Sequence, residues 1–266
     1  GLCIGRGNEH RSFIDLSMGS GARNRGLSYA QPDVRMLACA KTRNRSVETV
    51  LLVIGYVRVR NTDIARLRGP VARQATAVRE FHGCEHYAFG IDLLEPDVLR
   101  VSERWRTRAA QSAHLVGDHM VEFNIGLRAA SVVATDIESY ENGIARRLLQ
   151  IPAASFRPER EEPDAVIVMG SAKFSAGEFD RLTPAMMAQI AATRAEDGCV
   201  VYVFSRDMLD PDVLHIAEKW RDAAALAAHF AAPHMAAFNQ ILATAKVEHM
   251  SIIAYDAGGE RVLIER

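Results

Sequence analysis

The stretch "EPDVLRVSERW" (Glu95–Trp105) returns as "DPDVLHIAEKW" (Asp210–Trp220), 115 residues later. A chance match would fade within a few positions on either side. This one continues without a gap: Gly83-Cys84 falls on Gly198-Cys199, Tyr87 on Tyr202, Phe89 on Phe204, His114 on His229, His119-Met120 on His234-Met235, and Phe123-Asn124 on Phe238-Asn239. Between positions 83 and 124 half of the aligned residues are identical. Gly55 meets Gly170 and Tyr140 meets Tyr255 in the same register. A period this long is a duplicated domain, not a solenoid repeat.

The duplication sets the organisation. Two domains are expected, at 47–151 and 163–266, joined by "PAASFRPEREE" (152–162), a proline-bearing, charged stretch with no apolar period that reads as a linker. Domains of about 100 residues leave much apolar surface exposed, so each copy has reason to cover the other. The first 46 residues differ in kind, with eight Lys/Arg against three Asp/Glu, and read as a basic, disordered extension; nucleic-acid binding through it is the weaker expectation. The whole chain stands at −1, leaving −6 for the rest. No apolar run approaches the ~20 residues of a membrane span. Four cysteines, none in C-x-x-C spacing, are too few for a secreted disulfide framework. Cys84 and Cys199 are expected to be small buried thiols, and the protein cytoplasmic.

Each copy reads β-α-β-β-α-β with a trailing strand. "TVLLVIGYVRV" (49–59) is a β-branched run, and Ile64, Leu67, Val71, Ala75 and Val78 then recur at helical spacing, matched by Phe179, Leu182, Met186 and Ile190. Pro70 and Pro184 fall inside these stretches and predict a kinked or separate first turn. Gly83 and Gly198 are expected to end the helices. Thr107 and Asp222 sit where N-caps belong, and Pro233 suits the first turn of a helix. Asn142-Gly143 and Gly258-Gly259 predict hairpins. The fold class is therefore α+β, two ferredoxin-like domains packed as an intramolecular dimeric α+β barrel.

Glu103 and Trp105, like Glu218 and Trp220, lie two apart and share one strand face. A carboxylate beside a large apolar ring needs a partner or a raised pKa, and a histidine from the following helices is the expected partner. His119 and His234 head a helix, with Phe123 and Phe238 on the same face. The positive end of the helix dipole is expected to lower the imidazole pKa, which suits a general base. His234 and His119 are thus the catalytic candidates. Trp220, Trp105, Glu218, Glu103, Asn239, Asn124, His229, His114, Tyr202, Tyr87, Phe204, Phe89, Phe238 and Phe123 are the pocket candidates. His114 and His119 stand five apart with no H-E-x-x-H motif or carboxylate cluster, so no metal is expected. No phosphate-cradling loop is present, so neither flavin nor nicotinamide is indicated.

The Gly-Cys, the aromatic strand, the E-x-W strand end, and the "A-x-H" and "P-H-M" of the following helices resemble the antibiotic biosynthesis monooxygenase (ABM) domain. Repeat 2 follows that pattern throughout; repeat 1 has Asp118 where the proline of "PHM" is expected. The resemblance implies the dimeric α+β barrel and, for some members, cofactor-independent oxygenation of quinols or anthrone-type polyketides. A haem-degrading branch uses an asparagine on the first strand, where this chain has Tyr56 and Ser171. The function expected is a monooxygenase that needs no cofactor and oxidises an electron-rich phenol, quinol or anthrone with O2. Repeat 2 is favoured if only one pocket works, and further homo-oligomerisation is open. The alternative is a non-catalytic, ligand-binding or stress-related protein on the same barrel.

Overall fold

The computed structural model describes residues 50–151, 159–257 and 259–265. The expected basic extension, and residues 152–158 of the expected linker, lie outside the described residues.

Repeat 1 runs β1 (Leu51–Val59), a short 3-10 turn (Asn61–Asp63), α1 (Ile64–Arg79), β2 (Cys84–Asp92), β3 (Val98–Trp105), α2 (Arg108–Leu115), α3 (Asp118–Ala129), β4 (Val132–Glu141) and β5 (Ile144–Ile151). After β6 (Glu159–Glu161), repeat 2 runs β7 (Val166–Phe174), α4 (Glu178–Thr193), β8 (Cys199–Asp207), β9 (Val213–Trp220), α5 (Ala223–Ala231), α6 (Pro233–Leu242), β10 (Val247–Asp256) and β11 (Gly259–Glu265). Strand β6 occupies part of the expected linker and pairs with β5. No helix among the described residues is long and apolar enough to cross a membrane.

The eleven strands form one antiparallel sheet in the order β11-β10-β7-β9-β8-β2-β3-β1-β4-β5-β6. The two halves meet at β2 and β8, where Gly90 pairs with Asp207 and Asp92 with Ser205. A side chain on Gly90 would lie 2.5 Å from Ser205 Oγ. Because Ser205 is the repeat mate of Gly90, only one of the two copies can carry a side chain at this seam.

Strand alternation then gives each half two faces. One face packs on the helices: Leu51, Val53, Tyr87, Phe89, Val101 and Trp105 with Leu67, Val71 and Val78 in repeat 1, and Val166, Val168, Tyr202, Phe204, Ile216 and Trp220 with Phe179, Leu182, Met186 and Ile190 in repeat 2. The other faces meet each other, with Leu52, Ile54, Tyr140 and Ala145 packing against Ile167, Met169 and Tyr255. Repeat mates fasten this contact from both sides: Arg104 Nη1 donates to Tyr255 Oη at 2.7 Å, and Lys219 Nζ to Tyr140 Oη at 3.4 Å. Each copy thus covers the other's helix-free face.

Two local expectations change. Helices α1 and α4 run unbroken through Pro70 and Pro184. The carbonyls that the prolines leave without a donor belong to Arg66 and Asp180, both exposed, where water can bond them; Pro70 also packs where a Cβ on Gly126 of α3 would stand. Gly83 and Gly198 do not end the helices, which stop at Arg79 and Thr193. They turn the chain into β2 and β8 with φ of 88° and 84°, and a side chain there would meet Ala110 or Ala225 at 2.7 and 2.5 Å.

The N-caps are as expected. Thr107 Oγ1 accepts from Ala110 N at 3.2 Å and Asp222 Oδ1 from Ala225 N at 2.7 Å. Thr107→Ala and Asp222→Ala should each cost about 1 kcal/mol, a fall of roughly 2–4 °C in melting temperature, measurable by circular dichroism.

Candidate active site

The E-x-W strand ends organise the helix-facing side of each repeat. Trp105 Nε1 donates to Glu103 Oε2 at 2.7 Å, and Trp220 Nε1 to Glu218 Oε2 at 2.8 Å. The carboxyl partner is therefore the neighbouring indole and not a histidine. Two side chains on one strand face can close this bond without help from a helix. Both carboxyls are buried, and burial pushes each up to about 7, the indole bond pulling back only partly.

The histidines come next. His114 stacks on Trp105 with ring centres 4.9 Å apart, and His229 lies 4.8 Å from Trp220. Both are almost fully buried. Burial, and secondarily the neighbouring His119, pulls His114 down to about 4. His229 is also lowered by burial, against the upward pull of a carboxylate. For both of these rings desolvation is the leading cause.

Beyond this point the repeats diverge. In repeat 1, His114 Nδ1 and His119 Nε2 share a proton at 2.7 Å, and the Phe81 ring lies edge-on, 5.6 Å from His119. The position aligned with Phe81 is Glu196 in repeat 2. Glu196 Oε1 there hydrogen-bonds His229 Nδ1 at 2.9 Å and stands 2.7 Å from His234 Nε2. One substitution turns a histidine pair into a two-histidine, one-carboxylate cluster.

The aromatic candidates form the wall behind. Tyr87 packs on Phe89 (5.3 Å) and His114 (5.4 Å), and Phe89 on Phe123 (5.3 Å). Tyr202, Phe204 and Phe238 repeat this at 5.1 and 6.0 Å. Asn124 is exposed and Asn239 half-buried, and neither joins the ring cluster. Cys84 and Cys199 are free thiols, half-buried rather than buried, and burial pushes each up to about 11.

Sequence reasoning missed a pair of glutamines. Gln74 in α1 donates to Tyr87 Oη at 3.2 Å and to Met120 Sδ at 3.0 Å, while its Oε1 is buried without a partner. A cavity of about 50 Å³ opens between α1 and α3, lined by Gln74, Arg73, His119, Glu122 and Phe123. The signal was present: Gln74 and Gln189 are repeat mates on otherwise apolar helix faces.

A larger cavity, about 140 Å³, lies between the repeats, with Tyr56, Arg100 and Ser102 on one side and Ser205 and His215 on the other. None of the sequence-selected candidates lines it. Tyr56 faces this cavity rather than the helix-side cluster.

A tandem α+β barrel with a histidine-aromatic cluster under each helix layer defines a class, and the comparison with known families agrees. The model of the antibiotic biosynthesis monooxygenase family matches residues 50–124 and again 165–241. The chain belongs to this family and carries its domain twice. Among solved structures, a Deinococcus radiodurans protein provisionally assigned as an antibiotic biosynthesis monooxygenase is 33% identical, over 37% of this chain and 97% of its own, with a TM-score of 0.33. A provisionally assigned monooxygenase of Lactobacillus acidophilus is 13% identical over 82% of this chain and 100% of its own, with a TM-score of 0.35. A Mycobacterium tuberculosis protein is 20% identical over 34% and 92%, with a TM-score of 0.32. No curated protein matches the chain.

Proposed function

We propose that the protein is a monooxygenase that oxidises a small electron-rich phenol, quinol or anthrone with O2, the substrate itself being the reductant. The observation that carries this reading is the cavity between α1 and α3, which His119, Gln74 and Phe123 line, together with the buried Gln74 Oε1 that has no partner. It moves the weight from repeat 2 to repeat 1. In repeat 2 a carboxylate already holds His234.

His119 is the base: its Nδ1 takes the hydroxyl proton, or the acidic C–H proton of an anthrone, while its Nε2 stays bonded to His114. His114 is a positioning residue, kept neutral by burial so that it can accept from His119 when the latter is charged. The substrate anion passes one electron to O2, the two radicals combine at carbon, and the peroxide loses water to leave a carbonyl. One O2 is consumed, one oxygen atom ends in the quinone and the other in water. Gln74 Oε1 accepts from a second hydroxyl and fixes the ring's orientation, and the aromatic wall keeps bulk water away from the anion. A space of about 50 Å³ takes O2 or one edge of a ring, and a ring enters by parting α1 from α3.

The test is oxygen uptake by the full chain in the presence of a chelator, with naphthalene diols and anthrones as substrates. Uptake should survive the chelator, fall by roughly 100-fold or more in His119→Ala, and persist in His234→Ala, with unchanged melting temperatures. No uptake across the panel, or uptake indifferent to His119→Ala, would overturn the proposal. A His119→Ala protein that loses stability as well would favour the ligand-binding alternative, with His119 only a packing residue.

A further inference from the structure

We propose that Glu196, His229 and His234 of repeat 2 form a binding site for one divalent transition-metal ion of the zinc class. One ligand atom from each of the three side chains lies within 4.8 Å of the other two. They come from three separate elements: Glu196 from the turn after α4, His229 from the last turn of α5, and His234 from the start of α6, just after Pro233. Convergence of this kind requires tertiary structure, so the site exists only once repeat 2 has folded.

The donors have the right chemistry. Two imidazoles and one carboxylate form a common protein set for zinc and its neighbours, with a fourth position left for water or a ligand. Glu196 Oε1 already stands 2.9 Å from His229 Nδ1 and 2.7 Å from His234 Nε2. Metal–ligand bonds of about 2.0–2.1 Å in a tetrahedron place donors roughly 3.3 Å apart, so the two carboxylate–imidazole gaps must widen by about half an ångström, and the two imidazole nitrogens, within 4.8 Å of each other, must settle at the same spacing. His229 packs against both the Trp220 and Tyr202 rings, which fixes one ligand before any ion arrives. His234 and Glu196 remain partly exposed, with side-chain exposures of 27% and 17%, and give the ion a way in.

The other repeat supplies an internal control. Repeat 1 keeps both histidines, His114 and His119, but has Phe81 where Glu196 would be. Its imidazoles bond each other directly under that ring, with no carboxylate among them. One ion per chain is therefore expected in repeat 2. It would tie the turn after α4 to both α5 and α6 and leave the repeat 1 pocket free of metal. The site is thus independent of the oxygenase reading, which is tested with a chelator present.

The experiment is titration of the chelator-stripped full chain with Zn2+ by calorimetry, and with Co2+ by visible absorption, whose d–d bands report a low-coordinate nitrogen–oxygen site. One ion per chain is expected. Glu196→Gln and His234→Gln should each weaken binding by roughly 100-fold or more and remove the Co2+ bands, while His119→Ala leaves both unchanged. Circular dichroism confirms that each variant is folded. Absence of binding in the wild type, or binding that survives both repeat 2 substitutions, would overturn the assignment. So would bands lost in His119→Ala and kept in His234→Gln.

Discussion

Replacing Glu103 and Glu218 together with glutamine should raise the melting temperature at pH 8 by more than roughly 10 °C, and leave it nearly unchanged at pH 4. Both carboxyls are buried, each bonded only to its neighbouring indole, and burial lifts each from the usual carboxylate range to about 7. A group whose folded pKa lies above its unfolded value favours the fold while protonated. That contribution is complete below about pH 4.5 and is lost as pH rises to about 7. The shift amounts to about 3 kcal/mol per carboxyl at pH 8. Glutamine keeps the shape and still accepts the indole N–H, but cannot ionise, so the alkaline loss disappears.

The acid side should not change in the same variant. His114 and His229 have folded values below that of a free imidazole, so their contribution is present at neutral pH and is lost as pH falls below about 6.5, for His114 through about 4. The parent should therefore show a dome of stability against pH, and the double variant should lose only the right-hand slope. Thermal unfolding at unit steps from pH 4 to 9 distinguishes the cases. Parallel curves for parent and variant would mean that the two carboxyls do not titrate on folding.

The same pair shows how far sequence alone could go. The duplicated E-x-W placed each carboxylate on the tryptophan's face, because strand side chains alternate, and implied that it would be buried. It did not reveal the partner, since an indole two residues away and an imidazole on the next helix were both within reach. Only side-chain rotamers decide between them. The repeat also gave the two-domain plan, the N-caps at Thr107 and Asp222, and the hairpin at Asn142-Gly143, all of which are local signals.

What stayed hidden is tertiary. The seam between β2 and β8 follows from how the two halves of the sheet meet, and β6 pairs with the edge that β5 offers. Phe81 and Glu196 looked like an ordinary mismatch within half-identical repeats. Their importance appears only when three elements bring His229 and His234 to the carboxylate. The repeated Gln74 and Gln189 mark a polar position on an apolar helix face, but the sequence carries no sign of what lies opposite it.

Gly55→Ala and Gly170→Ala should each destabilise the protein by about 3 kcal/mol, and together they should prevent folding. Neither glycine has a positive φ, so backbone preference is not the reason. The reason is space. A Cβ on Gly55 would stand 2.4 Å from the carbonyl oxygen of Asp136 and 2.6 Å from Cα of Ile137, and one on Gly170 would stand 2.6 Å from the carbonyl oxygen of Ser251. These are backbone atoms of β4 and β10, the hydrogen-bonded neighbours of β1 and β7. A side chain could rotate away from a methyl group, but a paired strand can yield only by breaking its ladder. By strand alternation the methyl would enter the helix-facing side that Val53 and Val57 occupy, where Ile137 Cγ1 already stands 2.9 Å away. Urea unfolding of each single variant measures the cost. A loss below about 0.5 kcal/mol at either position would show that β1 and β7 can move away from their partners, and that the sheet's coil there is not fixed by glycine.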